Sequence, residues 1–88
     1  MQQVKQVIDE IRDLKKEPSH KSSLRIFSLM ENNKKQFSEI MDPVDYLYLL
    51  SGFENVSSKS PGEFKFDRCI EEYNQLCENF LFHCNRVV

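Results

Sequence analysis

Residues 42–53 read DPVDYLYLLSGF, and this stretch decides how the chain is divided. Asp42 carries a side-chain oxygen able to cap the free N–H groups of a first helical turn. Pro43 suits the first helical position, where its missing N–H costs nothing. Asp45 adds a negative charge near the positive end of the helix dipole. Gly52 reads as the stop, because glycine reaches the left-handed conformation that commonly ends a helix. Phe53 then folds back onto the apolar face. The expectation is a short helix over residues 43–51 with Leu47 and Leu50 facing the core. Tyr46 and Tyr48 cannot both join them, so one of the two is expected at the surface.

Downstream, residues 54–62 are rich in Ser, Asn, Pro and Gly and read as a surface loop. Residues 63–67, EFKFD, alternate Phe64 and Phe66 with polar neighbours, which predicts a short half-buried strand. A strand needs a partner, and residues 56–58 or the end of the chain are the candidates. Asp67 is read as the cap of a last helix over residues 68–85, with Ile70, Tyr73, Leu76, Cys77, Phe80, Leu81 and Cys84 as its apolar residues.

Upstream, Val4, Val7, Ile8, Ile11 and Leu14 recur at helical spacing and predict a helix over residues 2–16. Glu17-Pro18-Ser19 ends it, since Pro18 disfavours helical geometry in the residue before it. A second helix starts with Ser22 or Ser23 as N-cap and turns Leu24, Phe27 and Met30 inward. The run Glu31-Asn32-Asn33-Lys34-Lys35 is read as a break, because Asn favours turns. Phe37, Ile40 and Met41 then form a third apolar turn. The fold class expected is α+β: a single, mostly helical domain over residues 1–88 with a small β element before a long C-terminal helix. The expected core holds Ile8, Ile11, Phe27, Phe37, Leu47, Leu50, Phe66, Ile70, Tyr73 and Phe80.

Composition narrows the function classes. Seven Phe and three Tyr among 88 residues supply enough apolar area for a small core without metal or disulfides. Cys69, Cys77 and Cys84 fall on one predicted helix and lack C-x-x-C spacing, so they read as buried reduced thiols. No cofactor or metal is expected. No Gly-rich phosphate loop, G-x-S-x-G or H-E-x-x-H is present, and Glu71-Glu72 is explained by the dipole at a helix start. The chain is therefore not expected to be an enzyme. The longest apolar run, residues 46–50, is too short to cross a bilayer, so no membrane partner is expected.

The net charge of −2 hides a split: residues 1–36 carry eight Lys/Arg against five Asp/Glu, and residues 37–88 carry four against nine. A basic first half suits an acidic partner. Nucleic acid is an unlikely one, because acids are interspersed among the lysines and the chain is acidic as a whole.

Residues 14–81 resemble the PUB domain, the module found in peptide N-glycanase, some UBX proteins and the linear ubiquitin ligase. The matching text is Glu17-Pro18-Ser19-His20-Lys21, then Leu24-Arg25-Ile26, Asn33 and Phe37, Pro43-Val44 and Gly52-Phe53-Glu54. Residues 63–66 and the helix over residues 69–81 follow. Ser22-Ser23 stand where the family has an aromatic-basic pair, and Ser28 stands where it has its groove Asn. The resemblance implies a non-catalytic module of the ubiquitin and protein quality-control system. Its implied ligand is the acidic, aromatic-containing C-terminal tail of the valosin-containing AAA ATPase. The residues it points to are Lys21, Arg25, Asn32, Asn33 and Phe37, with Tyr46 or Tyr48 as walls. The location it implies is cytoplasmic, with the nucleus as the alternative. Two rivals are a helical adaptor or structural domain without a tail groove and a ubiquitin-binding module, since Gly-Phe is also similar to the loop of UBA-type domains. A UBA-type three-helix domain is about half this size and leaves the Phe64/Phe66 pattern unused.

Overall fold

The structure is a computed structural model that describes residues 2–64 and 67–84. Among the described residues six helices follow one another: α1 (Gln2–Lys15), α2 (His20–Asn32), α3 (Lys34–Ile40), α4 (Pro43–Ser57), α5 (Pro61–Phe64) and α6 (Asp67–Cys84). α2 and α4 form the most extensive helix pair, and α1 and α4 both rest on α6. Ile8 and Ile11 of α1, Ile26 and Met30 of α2, Phe37 of α3, and Tyr73 and Phe80 of α6 meet in the buried centre. Phe37 and Phe80 contact edge to face at 5.1 Å, as do Phe53 and Tyr73 at 6.3 Å. The expected seats of Ile8, Ile11, Phe37, Tyr73 and Phe80 are those observed, while Phe27, Leu50 and Ile70 are partly buried against the cluster.

The expected α+β class is wrong: the described residues are helical and contain no strand. The reason lies in Ser60-Pro61-Gly62-Glu63. The Ser60 N–H donates to Glu63 Oε1 at 3.0 Å, and the Glu63 N–H donates to Ser60 Oγ at 3.2 Å. This reciprocal pair is a capping box, with Pro61 in the first helical position. It starts one helical turn, closed by the Phe64 N–H on the Ser60 carbonyl at 2.9 Å. The capping hydrogen bonds hold the Glu63–Phe64 backbone in a helix, and the alternation of Phe64 and Phe66 is overridden. Phe64 is buried edge-on to Tyr73. Lys65 and Phe66 lie outside the described residues, as do residues 85–88.

Gly52 is not a helix stop. No glycine among the described residues has a positive φ, and α4 runs on through Ser57. Gly52 instead allows a close approach, since a Cβ built there would lie 2.5 Å from Leu76 Cδ2 on α6. The helix ends among serines. Ser57 Oγ donates to the Glu54 carbonyl and Ser58 Oγ to the Asn55 carbonyl, and the Ser58 N–H caps the Glu54 carbonyl. Much of the expected loop over residues 54–62 is therefore helix. The start of α4 is as expected, with Asp42 Oδ1 accepting from the Val44 N–H at 2.8 Å.

The longer α4 sets a different inward stripe. Tyr46, Leu49, Phe53 and Val56 are buried, whereas Leu47, expected in the core, is 55% exposed. A smaller correction concerns α2. Its N-cap is Ser19, which accepts from the Ser22 N–H, and Ser22 and Ser23 lie inside the first turn. The break after Asn32 is real, since Asn33 separates α2 from α3.

Candidate peptide-binding site

The corner between α1 and α2 is built by Pro18 and three serines. α1 tightens at its end, where the Lys16 and Glu17 N–H groups reach the Asp13 and Leu14 carbonyls, both at 3.1 Å. Ser22 Oγ donates back to the Glu17 carbonyl at 2.8 Å, and Ser19 Oγ donates to Ser22 Oγ at 3.0 Å. Ser23 Oγ donates to the His20 carbonyl, so both buried hydroxyls of Ser22 and Ser23 are satisfied. This corner opens onto a cleft of about 490 Å³ lined by Leu14, Glu17, Pro18, Ser19, Lys21, Ser22 and Arg25.

Two of the seven residues expected to form the groove therefore share it. Lys21 is exposed and makes no ion pair among the described residues. Arg25 is already engaged: its Nε lies 2.7 Å from Glu10 Oε2 and its Nη2 3.3 Å from Glu10 Oε1. That hydrogen bond, reinforced by the opposite charge, raises the Arg25 pKa further above its ordinary value. Glu17 in the lining adds a second carboxylate to the neighbourhood. The cleft is thus balanced in charge rather than strongly basic.

The other five candidates do not join them. Asn32 is exposed at the last position of α2. Asn33 is buried, and both its backbone N–H and its Nδ2 donate to the Leu29 carbonyl, so it caps α2. Phe37 is fully buried and packs on Phe80. Tyr46 is buried, with its hydroxyl donating to the Met30 carbonyl at 2.7 Å. Burial, with a smaller contribution from Glu31, raises its pKa. Tyr48 is the exposed tyrosine, and it lines a separate cleft of about 440 Å³ between α4 and α6.

Sequence reasoning missed the contribution of Leu14, Ser19 and Ser22 to the first cleft. The signal was the spacing of Ser19 and Ser22 directly after Pro18, which marks a capped helix start rather than a loop. It also missed Leu47 and Leu76 as surface and cleft residues.

The thiols have no visible chemistry. Cys77 and Cys84 are buried and Cys69 is half-buried, all three free. Burial pushes the Cys77 and Cys84 thiols up to about 12. Among the described residues no group of three or more His, Cys, Asp or Glu side chains is gathered to hold a metal ion. No described helix is long and apolar enough to cross a membrane. No protein-family model, curated protein or solved structure matches the chain.

Proposed function

We propose that this domain is a non-catalytic protein-interaction module whose α1–α2 cleft holds a short acidic peptide. The ligand class is an aromatic-containing C-terminal tail like that of the valosin-containing AAA ATPase, in ubiquitin-dependent protein quality control. The observation that carries the reading is the cleft itself. It gathers Lys21, and Arg25 in its pair with Glu10, beside the apolar surfaces of Leu14 and Pro18, with Glu17 also in the lining. Cations next to apolar walls suit a carboxylate-rich peptide with an aromatic anchor. The PUB resemblance supports the same ligand class, and the β element of that family is no part of the proposal. The reading puts the domain in the cytoplasm, with the nucleus as the alternative.

Ordering a flexible tail offsets much of the contact energy, so the affinity is around micromolar. Salt weakens it, because exposed charges are screened over about 8–10 Å at physiological ionic strength. The test is titration of the ATPase C-terminal peptide into isotope-labelled domain. Amide signals of Leu14, Ser19, Lys21, Ser22 and Arg25 are expected to move. Lys21→Ala and Arg25→Ala weaken binding, and Lys35→Ala on α3 leaves it unchanged. Glu10→Gln strengthens it, since Arg25 is then free to meet the ligand. If no signal moves at millimolar peptide, the reading is lost.

A second reading, a helical adaptor without a tail groove, is favoured by one observation. Val44, Leu47 and Tyr48 leave a large apolar surface on α4 uncovered.

A further inference from the structure

α4 is apolar on two opposite faces. Its inward stripe is buried, but Val44, Leu47 and Tyr48 on the outward side are 73%, 55% and 65% exposed. At about 100° per residue, Val44, Tyr48, Ser51 and Asn55 fall along one line, with Leu47 beside it. That line is about 16 Å long; its first turn, Val44 to Tyr48, is apolar over about 6 Å, and Ser51 and Asn55 continue it as polar residues. It borders the α4–α6 cleft, with Tyr48, Ser51 and Gly52 on one wall and Glu72 and Leu76 on the other. Gly52 lets Leu76, only 7% exposed, pack close against α4 at the floor of the cleft. An apolar ridge beside a cleft with an apolar wall matches a helix that presents anchors at i, i+3 or i+4, and i+7.

Charge selects the occupant. α4 contains Asp45 and Glu54 and no lysine or arginine. α6 contains Glu71, Glu72 and Glu78 against Arg68, which lies one turn before Glu72, and of these three acids Glu72 is the one that lines the cleft. Of these acids, Glu78 lies 3.7 Å from Lys15. A second copy of this chain, meeting the same face across a two-fold axis, would bring acid against acid. An anionic lipid surface meets the same repulsion. A helix with lysines or arginines around its apolar stripe satisfies both the ridge and the rim.

We infer that the outward face of α4, with the cleft it forms with α6, docks a basic amphipathic helix of a partner protein. This surface is built from other helices than the α1–α2 cleft, and it stands whether or not an acidic tail binds there. The probe is a designed helical peptide of about four turns with leucines at i, i+4 and i+7 and lysines elsewhere, added to the labelled full chain. Amide shifts at Val44, Leu47, Tyr48, Ser51 and Leu76 are expected. Leu47→Glu weakens binding about tenfold or more, as loss of an interface anchor does, with an unchanged melting curve. Tyr48→Ala weakens it as an independent check, and Leu24→Glu on α2 has no effect. The acidic ATPase tail does not compete. The inference is overturned if no signal moves at millimolar peptide or if a scrambled peptide of the same composition binds equally well. It is also overturned if the shifts map to α1 and α2, or if sedimentation shows self-association that Leu47→Glu abolishes.

Discussion

Tyr46 and Tyr48 stand two residues apart on α4 and meet opposite fates. Tyr46 is 2% exposed and its hydroxyl is held by the Met30 carbonyl, while Tyr48 is 65% exposed at the rim of a cleft. The same contrast separates Leu49, fully packed, from Leu47, which faces out. Residue type is shared across the two faces, so type does not decide burial here. Phase does, and the phase is set by where the helix ends and by which polar tip finds a partner inside. The inward face carries stability, and the outward face is free to carry recognition.

The sharpest way to break this comparison is to truncate the inward face. Phe53→Ala removes a fully buried ring against Tyr73 and is expected to cost about 3–5 kcal/mol, much of the stability of a small domain. An unchanged denaturation midpoint would mean that the face is not core. A second large effect comes from pH. Unfolded thiols lose protons from their ordinary value of 9.0, whereas buried Cys77 and Cys84 keep theirs to about 12. Between those values the unfolded state binds fewer protons, so stability falls as pH rises through the window. The Cys77→Ala/Cys84→Ala double variant should show a smaller fall when melting is followed from pH 9 upward. In the native domain at pH 8, Cys69 should be alkylated before the other two, which react only on unfolding.

Smaller changes sharpen the contrast. Tyr46→Phe keeps the ring but strands the Met30 carbonyl, at a cost of about 1–2 kcal/mol. Asp42→Ala removes the cap of α4 and is expected to cost about 1 kcal/mol. Leu47→Ala, on the outward face, should change stability by no more than about 0.5 kcal/mol. If Leu47→Ala instead destabilised the domain as much as Phe53→Ala does, the two faces would have been assigned the wrong way round.

Much of the helical plan was legible because its signals are local. Asp42-Pro43 marks a helix start wherever it occurs, and the 3.6-residue pattern of Val4 to Leu14 predicts α1 to within a residue of its observed end. The break at Asn33 was legible for the same reason. The errors came where a local signal was outweighed by another demand on the same residues. Glycine after an apolar run reads as a stop, yet Gly52 is required by the nearness of Leu76, a contact made across the fold. Alternating phenylalanines read as a strand, yet Ser60 and Glu63 form a capping box that was itself present in the sequence. The groove residues failed differently. Asn33, Phe37 and Tyr46 have the chemistry of a binding site, but each is consumed by the scaffold: a cap, a ring in the core, a hydroxyl on a carbonyl. Lys21 and Arg25 came together because one turn of a helix separates them.

The Tyr73 hydroxyl donates to the Leu14 carbonyl at 2.6 Å across 59 residues of chain. That bond, with the packing of α1 on α6, closes a very long loop, whereas α2 and α4 meet across a short one. Closing the longer loop costs more chain entropy before any contact offsets it. α1 is therefore expected to dock on α6 after α2 and α4 have paired, and to lift away before they part. Its amides should exchange with solvent deuterium faster than those of α2 and α4, and a Tyr73→Phe substitution should widen that gap.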